Sequence, residues 1–176
     1  MKTNVALIGF MASGKSAVGR ALAARLNRKF VELDDIISER AGKPIPDIFR
    51  ENGETAFREM EIEAVKEVAK GTDQVIACGG GVVLNWINVE RLRPTSRLFY
   101  LHASPEAVLA RVSREQHQRP LLDVADPAQR VRDLLWFRKS FYQRAADSRV
   151  DTSGRTVEQI AGLIVRRLKQ DECFNL

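Results

Sequence analysis

The sequence predicts an α/β fold in which a parallel sheet is covered by helices on both faces. Three observations point to it. Short apolar runs alternate with amphipathic stretches along the chain, as in repeated strand–helix–strand units. The first apolar run leads directly into a glycine-bearing loop and then a helix-like stretch. The 176 residues suit one domain and show no repeat, low-complexity tract or linker.

The elements follow in order. Val5-Ala6-Leu7-Ile8 reads as a buried strand. Ser16 to Leu26 places Val18, Ala21, Leu22, Arg25 and Leu26 near helical spacing. Phe30 to Leu33 is a second strand closed by Asp34-Asp35, and Ile36 to Ala41 a helix. Phe57 to Ala69 is a helix with Met60, Ala64, Val65 and Val68 on one face. Gln74 to Cys78 is a third strand, ending at Gly79-Gly80-Gly81, and Arg97 to Leu101 a fourth. Pro105 to Arg114 is a helix with Ser104 as its N-cap and Pro105 in its first turn. Ala128 to Ala145 is a helix, Ser148 to Thr152 a fifth strand, and Thr156 to Leu168 a last helix burying Val157, Ile160, Ala161, Ile164 and Leu168. Gln170 to Leu176 is expected to fray.

Composition narrows the function. Apolar residues make up 44% and charged residues 29%, ordinary values for a globular protein. The longest uncharged apolar stretch, Val75 to Leu84, is too short to span a bilayer. No signal peptide is legible at Met1-Lys2-Thr3-Asn4, so a cytoplasmic protein is expected. Cys78 and Cys173 have no metal-ligand spacing and read as reduced thiols. The net charge of +5 suits phosphorylated small molecules as well as nucleic acid, and the scattered basic residues disfavour nucleic acid. His102 and His117, the only histidines, have no partner set for catalysis. Trp86, Trp136 and Phe137 read as packing residues.

Gly9-Phe10-Met11-Ala12-Ser13-Gly14-Lys15-Ser16 matches G-x-x-x-x-G-K-[ST], the P-loop pattern. Its glycines let backbone N–H groups turn toward an anion, and the following helix adds its positive end. Lys15 is expected to reach the β- and γ-phosphates of ATP, and the Ser16 hydroxyl to ligate Mg2+. Ala12, Ser13, Gly14, Lys15, Ser16 and Ala17 are the candidate phosphate-binding residues. The pattern gives nucleotide binding and leaves the acceptor open.

The acceptor side rests on Asp34, Arg58 and Gly79-Gly80-Gly81. A carboxylate at a strand end faces the ligand crevice of such a sheet and can take the proton of an acceptor hydroxyl. Asp34 and Asp35 also read as first-turn charges of the next helix. Three consecutive glycines allow close approach of backbone to ligand. The segment 115–127 is polar, proline-bearing and aperiodic, the signature of a surface loop, and Arg119 within it could neutralise charge on the transferring group.

Asp34, the stretch Gly53-Glu54-x-x-Phe57-Arg58-x-x-Glu61, Gly79-Gly80-Gly81, Arg119-Pro120-Leu121-Leu122, and Arg138 four residues before Tyr142 together resemble the shikimate kinase family, in order and spacing over nearly the whole chain. The resemblance implies a three-layer α/β/α P-loop fold, nucleoside-monophosphate-kinase-like, with five parallel strands. It implies an acceptor region at about 33–62 and a lid at about 113–127 carrying Arg119. It implies transfer of the ATP γ-phosphoryl to the 3-hydroxyl of shikimate. Asp34, Arg58, Gly80 and Arg138 would hold shikimate, with Arg58 and Arg138 pairing its carboxylate. Arg111 and Arg155 match positions that contact ATP near adenine. Glu32 stands where relatives commonly carry an aspartate near magnesium, and its longer reach permits a water-mediated contact. A monomer without nucleic-acid or membrane partners is expected. A gluconate kinase would fit these acceptor residues less well. A nucleotide-sensing module without turnover predicts loss of Lys15, Asp34 or Arg119, and all three are present.

Overall fold

The computed structural model describes residues 1–114, 120–122 and 124–176. Five strands form one all-parallel sheet in the order β2-β3-β1-β4-β5: β1 Asn4–Ile8, β2 Lys29–Glu32, β3 Gln74–Ala77, β4 Ser96–His102 and β5 Ser148–Asp151. Side chains of the central strand alternate between two cores, as the two-residue period of a strand requires. Val5 and Leu7 pack under α1 (Lys15–Leu26) and α7 (Val157–Lys169), with Val18, Leu22, Ile160 and Ile164. Ala6 and Ile8 face the other core, with Ile37, Ala64, Val65, Val108 and Val131. That core is closed by α2 (Leu33–Ala41), α3 (Ile45–Val68), α4 (Trp86–Leu92), α5 (Pro105–Val112) and α6 (Pro127–Ala145).

Several boundaries depart from the sequence reading, each for a local reason. Asp34 and Asp35 do not close a strand. They lie in the first turn of α2, where their charge meets the helix N-terminus. The helix expected from Phe57 begins at Ile45, since Pro44 and Pro46 open a helix at Ile45 instead of ending one. Gly53 divides it into two arms at φ 80, ψ 171, a conformation that a side chain would strain. α4, not anticipated, buries Val89 and Leu92. The Ser104 cap is present, accepting the Ala107 N–H at 3.2 Å.

Two packing expectations are overturned. Trp136 is 82% exposed and Phe137 53%, on the outer face of α6. The C-terminal residues are not frayed. The Lys2 N–H donates to the Cys173 carbonyl and the Asn175 N–H to the Lys2 carbonyl, both at 2.9 Å. Phe174 is buried beneath the Arg28 guanidinium. Among the described residues no helix is long and apolar enough to cross a membrane.

The topology positions the site. The chain leaves β1 toward β2 on one side and later crosses to β4 on the other. Ligands of open α/β sheets bind beyond the carboxyl ends of strands at such a reversal. The loops after β1, β2 and β3 meet there.

Candidate active site

The loop after β1 is shaped for an anion. Gly9 has φ 153, and a Cβ on it would lie 2.5 Å from the Leu101 carbonyl oxygen, so a side chain is excluded. Gly14, at φ 92, caps α1. Ala12 completes the turn at φ 55, a left-handed conformation unusual for a residue with a Cβ. Its carbonyl accepts the Arg111 guanidinium at 3.0 Å, and Arg111 also bonds the Thr152 carbonyl and hydroxyl. Arg111 thus ties the loop to the end of β5. Arg155, exposed, bonds the Asp151 carbonyl at 2.7 Å. The two arginines expected near adenine therefore converge on adjacent residues. The Lys15 ammonium donates to the Gly9 and Phe10 carbonyls at 2.9 and 2.8 Å, across the mouth of the loop. Ser13 is buried and Ala17 exposed.

Glu32, at the end of β2, accepts the Ser16 hydroxyl. Burial raises its pKa, Asp34 and Asp35 add to the rise, and Ser16 and Lys15 oppose it. One hydroxyl and one carboxylate beside a phosphate cradle suit magnesium, which binds one or two protein oxygens plus phosphates and waters.

Beyond the loop lies a cavity of about 90 Å³ lined by Met11, Asp34, Phe49, Phe57, Arg58, Gly79, Gly80, Gly81 and Arg138, with Ile45 and Leu121. Every residue expected to hold the acceptor lines it. Asp34 is half-buried while Asp35 points to solvent, which separates their roles. The glycines explain themselves by what a Cβ would strike. At Gly79 it would lie 2.7 Å from Glu61 Oε1 and 3.1 Å from Asp34 Oδ1. At Gly80 it would approach the Met11 nitrogen at 3.4 Å, and at Gly81 it would overlap the Arg58 guanidinium. The triple glycine is what lets this cavity share a wall with the phosphate loop.

Arg58 is 13% exposed and bonds Glu61 at 3.1 Å and Glu54 at 3.0 Å. Arg138 is 3% exposed and lies 5.8 Å from the Phe10 ring centroid. Its Nε has no hydrogen-bond partner among the described residues. Arg119 lies outside the described residues, as does His117. Leu121, two residues on from Arg119, reaches the cavity wall. His102 sits edge-on to Tyr100 with its Nδ1 3.6 Å from Asp151.

Glu61 has no role that its place in the Gly53–Glu61 stretch assigns on its own. It is fully buried beside Gly79 and carries the charge facing Arg58. An acid on the stripe Phe57–Glu61–Ala64–Val65–Val68 needs a partner, and Arg58 three residues earlier is the available one. Burial pushes its carboxyl up to about 7, against the opposing pull of Arg58. The folded chain therefore holds a proton that the unfolded chain releases above the usual glutamate range. Stability from this group is full below about pH 4.5 and is lost as pH rises through about 7. Between pH 5 and pH 8 wild type should lose on the order of 2–3 kcal/mol that Glu61→Gln does not lose. Urea melts of both proteins at the two pH values test this, and equal pH slopes would contradict it.

The chain matches the shikimate kinase family model over residues 11–169. It is 43% identical over 168 residues to the shikimate kinase of Symbiobacterium thermophilum, covering 95% of this chain and 97% of that protein. It is 44% identical over 166 residues to that of Thermus thermophilus, covering 94% and 90%. Among solved structures, shikimate kinase from Acinetobacter baumannii in complex with shikimate superposes with a TM-score of 0.93 at 34% identity, covering 98% of this chain and 96% of that one. A phosphate loop, an arginine-flanked cavity against it and these matches across the chain lead to one conclusion: the chain belongs to the shikimate kinase family.

Proposed function

We propose that this protein transfers the γ-phosphoryl of ATP to the 3-hydroxyl of shikimate, giving shikimate 3-phosphate and ADP. The observation that carries it is the shared wall: Gly80 and Met11 bring a cavity lined by Arg58 and Arg138 directly against the phosphate loop. Arg58 and Arg138, both largely desolvated, hold the shikimate carboxylate, for which planar guanidinium forks are suited. Asp34 orients the hydroxyl. As the oxygen–phosphorus bond forms and the bond to the ADP oxygen breaks, the hydroxyl proton passes to Asp34. Lys15 and the loop N–H groups hold the phosphates in line. Magnesium, held by Ser16 and Glu32, would neutralise phosphate charge. Arg111 and Arg155 flank the nucleotide beyond the loop, and Arg119 completes the charge around the transferring group. Residues 1–176 act as a single domain.

The test is a coupled assay of ADP release with shikimate, with gluconate and with no acceptor. Shikimate-dependent release at least about tenfold above both others is expected. Equal rates with all three would overturn the reading.

A further inference from the structure

We propose that the Tyr142 hydroxyl is a positioning group for the acceptor, fixing the Gly79–Gly81 loop and the Arg138 guanidinium in one geometry. Tyr142 lies on α6, fully buried. Its hydroxyl donates to the Gly80 carbonyl at 2.5 Å and lies against the Arg138 side chain, one helical turn earlier on α6. Its ring stacks on Tyr100 with centroids 4.9 Å apart. Tyr142 is not among the residues that line the acceptor cavity, so it acts through the two groups it holds.

The need for such a tether follows from the loop's composition. Three glycines carry no side chains to anchor them and lose more conformational freedom than any other residues on ordering. The Gly80 carbonyl and the Gly81 N–H belong to one planar peptide unit, so fixing the carbonyl fixes the direction of that N–H. Gly81 lies against Arg58, at contact distances that no side chain could share. The same hydroxyl also limits the rotation of Arg138. One atom therefore sets both ends of the carboxylate clamp before the acceptor binds, and preorganisation of this kind raises affinity by lowering the cost of ordering. Packing alone would be served by phenylalanine, because a buried hydroxyl is costly unless it is hydrogen-bonded.

The proposal rests on the acceptor reading above, and the test separates the two. Tyr142→Phe retains the ring and removes only the hydroxyl. Losing a net hydrogen bond and its ordering effect should raise the KM for shikimate ~5–30-fold. The kcat and the KM for ATP should stay within about twofold, because the phosphate loop is untouched. Tyr100→Phe, which removes a hydroxyl from the other ring of the stack, should leave all three constants near wild type. Amide hydrogen exchange at residues 79–82 should be faster in Tyr142→Phe than in wild type with no substrate added. That readout does not depend on which acceptor the enzyme uses. An unchanged shikimate KM, an equal rise in the ATP KM, or unchanged exchange at residues 79–82 would overturn the proposal.

Discussion

Lys15→Ala should lower turnover by about 10²–10³-fold or more while leaving a folded protein. The ammonium lies across the mouth of the phosphate loop on the Gly9 and Phe10 carbonyls, so it is already where the β- and γ-phosphates must arrive. Removing one preorganised donor from a site of developing charge costs about that factor, and here the lost group also carries a full charge. The fold should survive, since Lys15 is the first residue of α1 and its side chain belongs to neither core. Alanine is also the best helix former. Loss of the two carbonyl contacts should lower Tm by a few degrees at about 2–4 °C per kcal/mol. Steady-state kinetics beside a thermal melt decide the matter. A folded variant with near-normal turnover would contradict the role.

Arg58→Ala should weaken shikimate binding by roughly 30- to 4,000-fold, the equivalent of about 2–5 kcal/mol for truncating one partner of a buried charge pair. ATP affinity should change by less than about twofold, because Arg58 bonds Glu54 and Glu61 on its own helix, away from the phosphate loop. The variant also strands Glu61, which is fully buried and has Arg58 as its principal opposing charge. Its carboxyl, already pushed up to about 7, should rise further and stay protonated. The stability loss should therefore be smaller at pH 6 than at pH 8, where burying the ionised form is required. Calorimetric titration with shikimate and with a non-hydrolysable ATP analogue, plus melts at the two pH values, provides the check. Equal losses for both ligands would sink the assignment of Arg58 to the acceptor.

The phosphate loop and the strand–helix alternation were legible in the sequence because each rests on local pattern, and the family because its motifs recur in order over nearly the whole chain. A strand, a glycine turn and a helix in sequence specify a phosphate cradle with no distant contact. The polar and glycine residues of the cavity, Asp34, Arg58, Gly79-Gly80-Gly81 and Arg138, were legible through their combination, since Arg58 alone or Asp34 alone reads as readily as a surface charge or a helix cap, whereas Met11, Ile45 and Phe49 on its wall were not read from the sequence. Asp34 and Asp35 show where local reading ends. Both sit in the first turn of α2, and only the packing of that helix against α3 turns Asp34 toward Gly79 and leaves Asp35 in solvent.

Glu61, Tyr142 and Arg111 show what the tertiary structure alone decided. Their chemical types are visible in the sequence, but their partners are long-range or set by burial: Gly79 beside Glu61, Gly80 on Tyr142, Ala12 on Arg111. The same holds for Trp136 and Phe137, whose apolar character predicted burial that the orientation of α6 does not provide. Hydrophobicity and helical period constrain which face of a helix turns inward. They leave open where chain segments meet, and burial, partner choice and pKa follow from that meeting. The sequence by itself determined a nucleotide-binding α/β enzyme and its family. Only the folding of α3 and α6 over the ends of β1 and β3 decided which side chains line the cavity beside the phosphate loop.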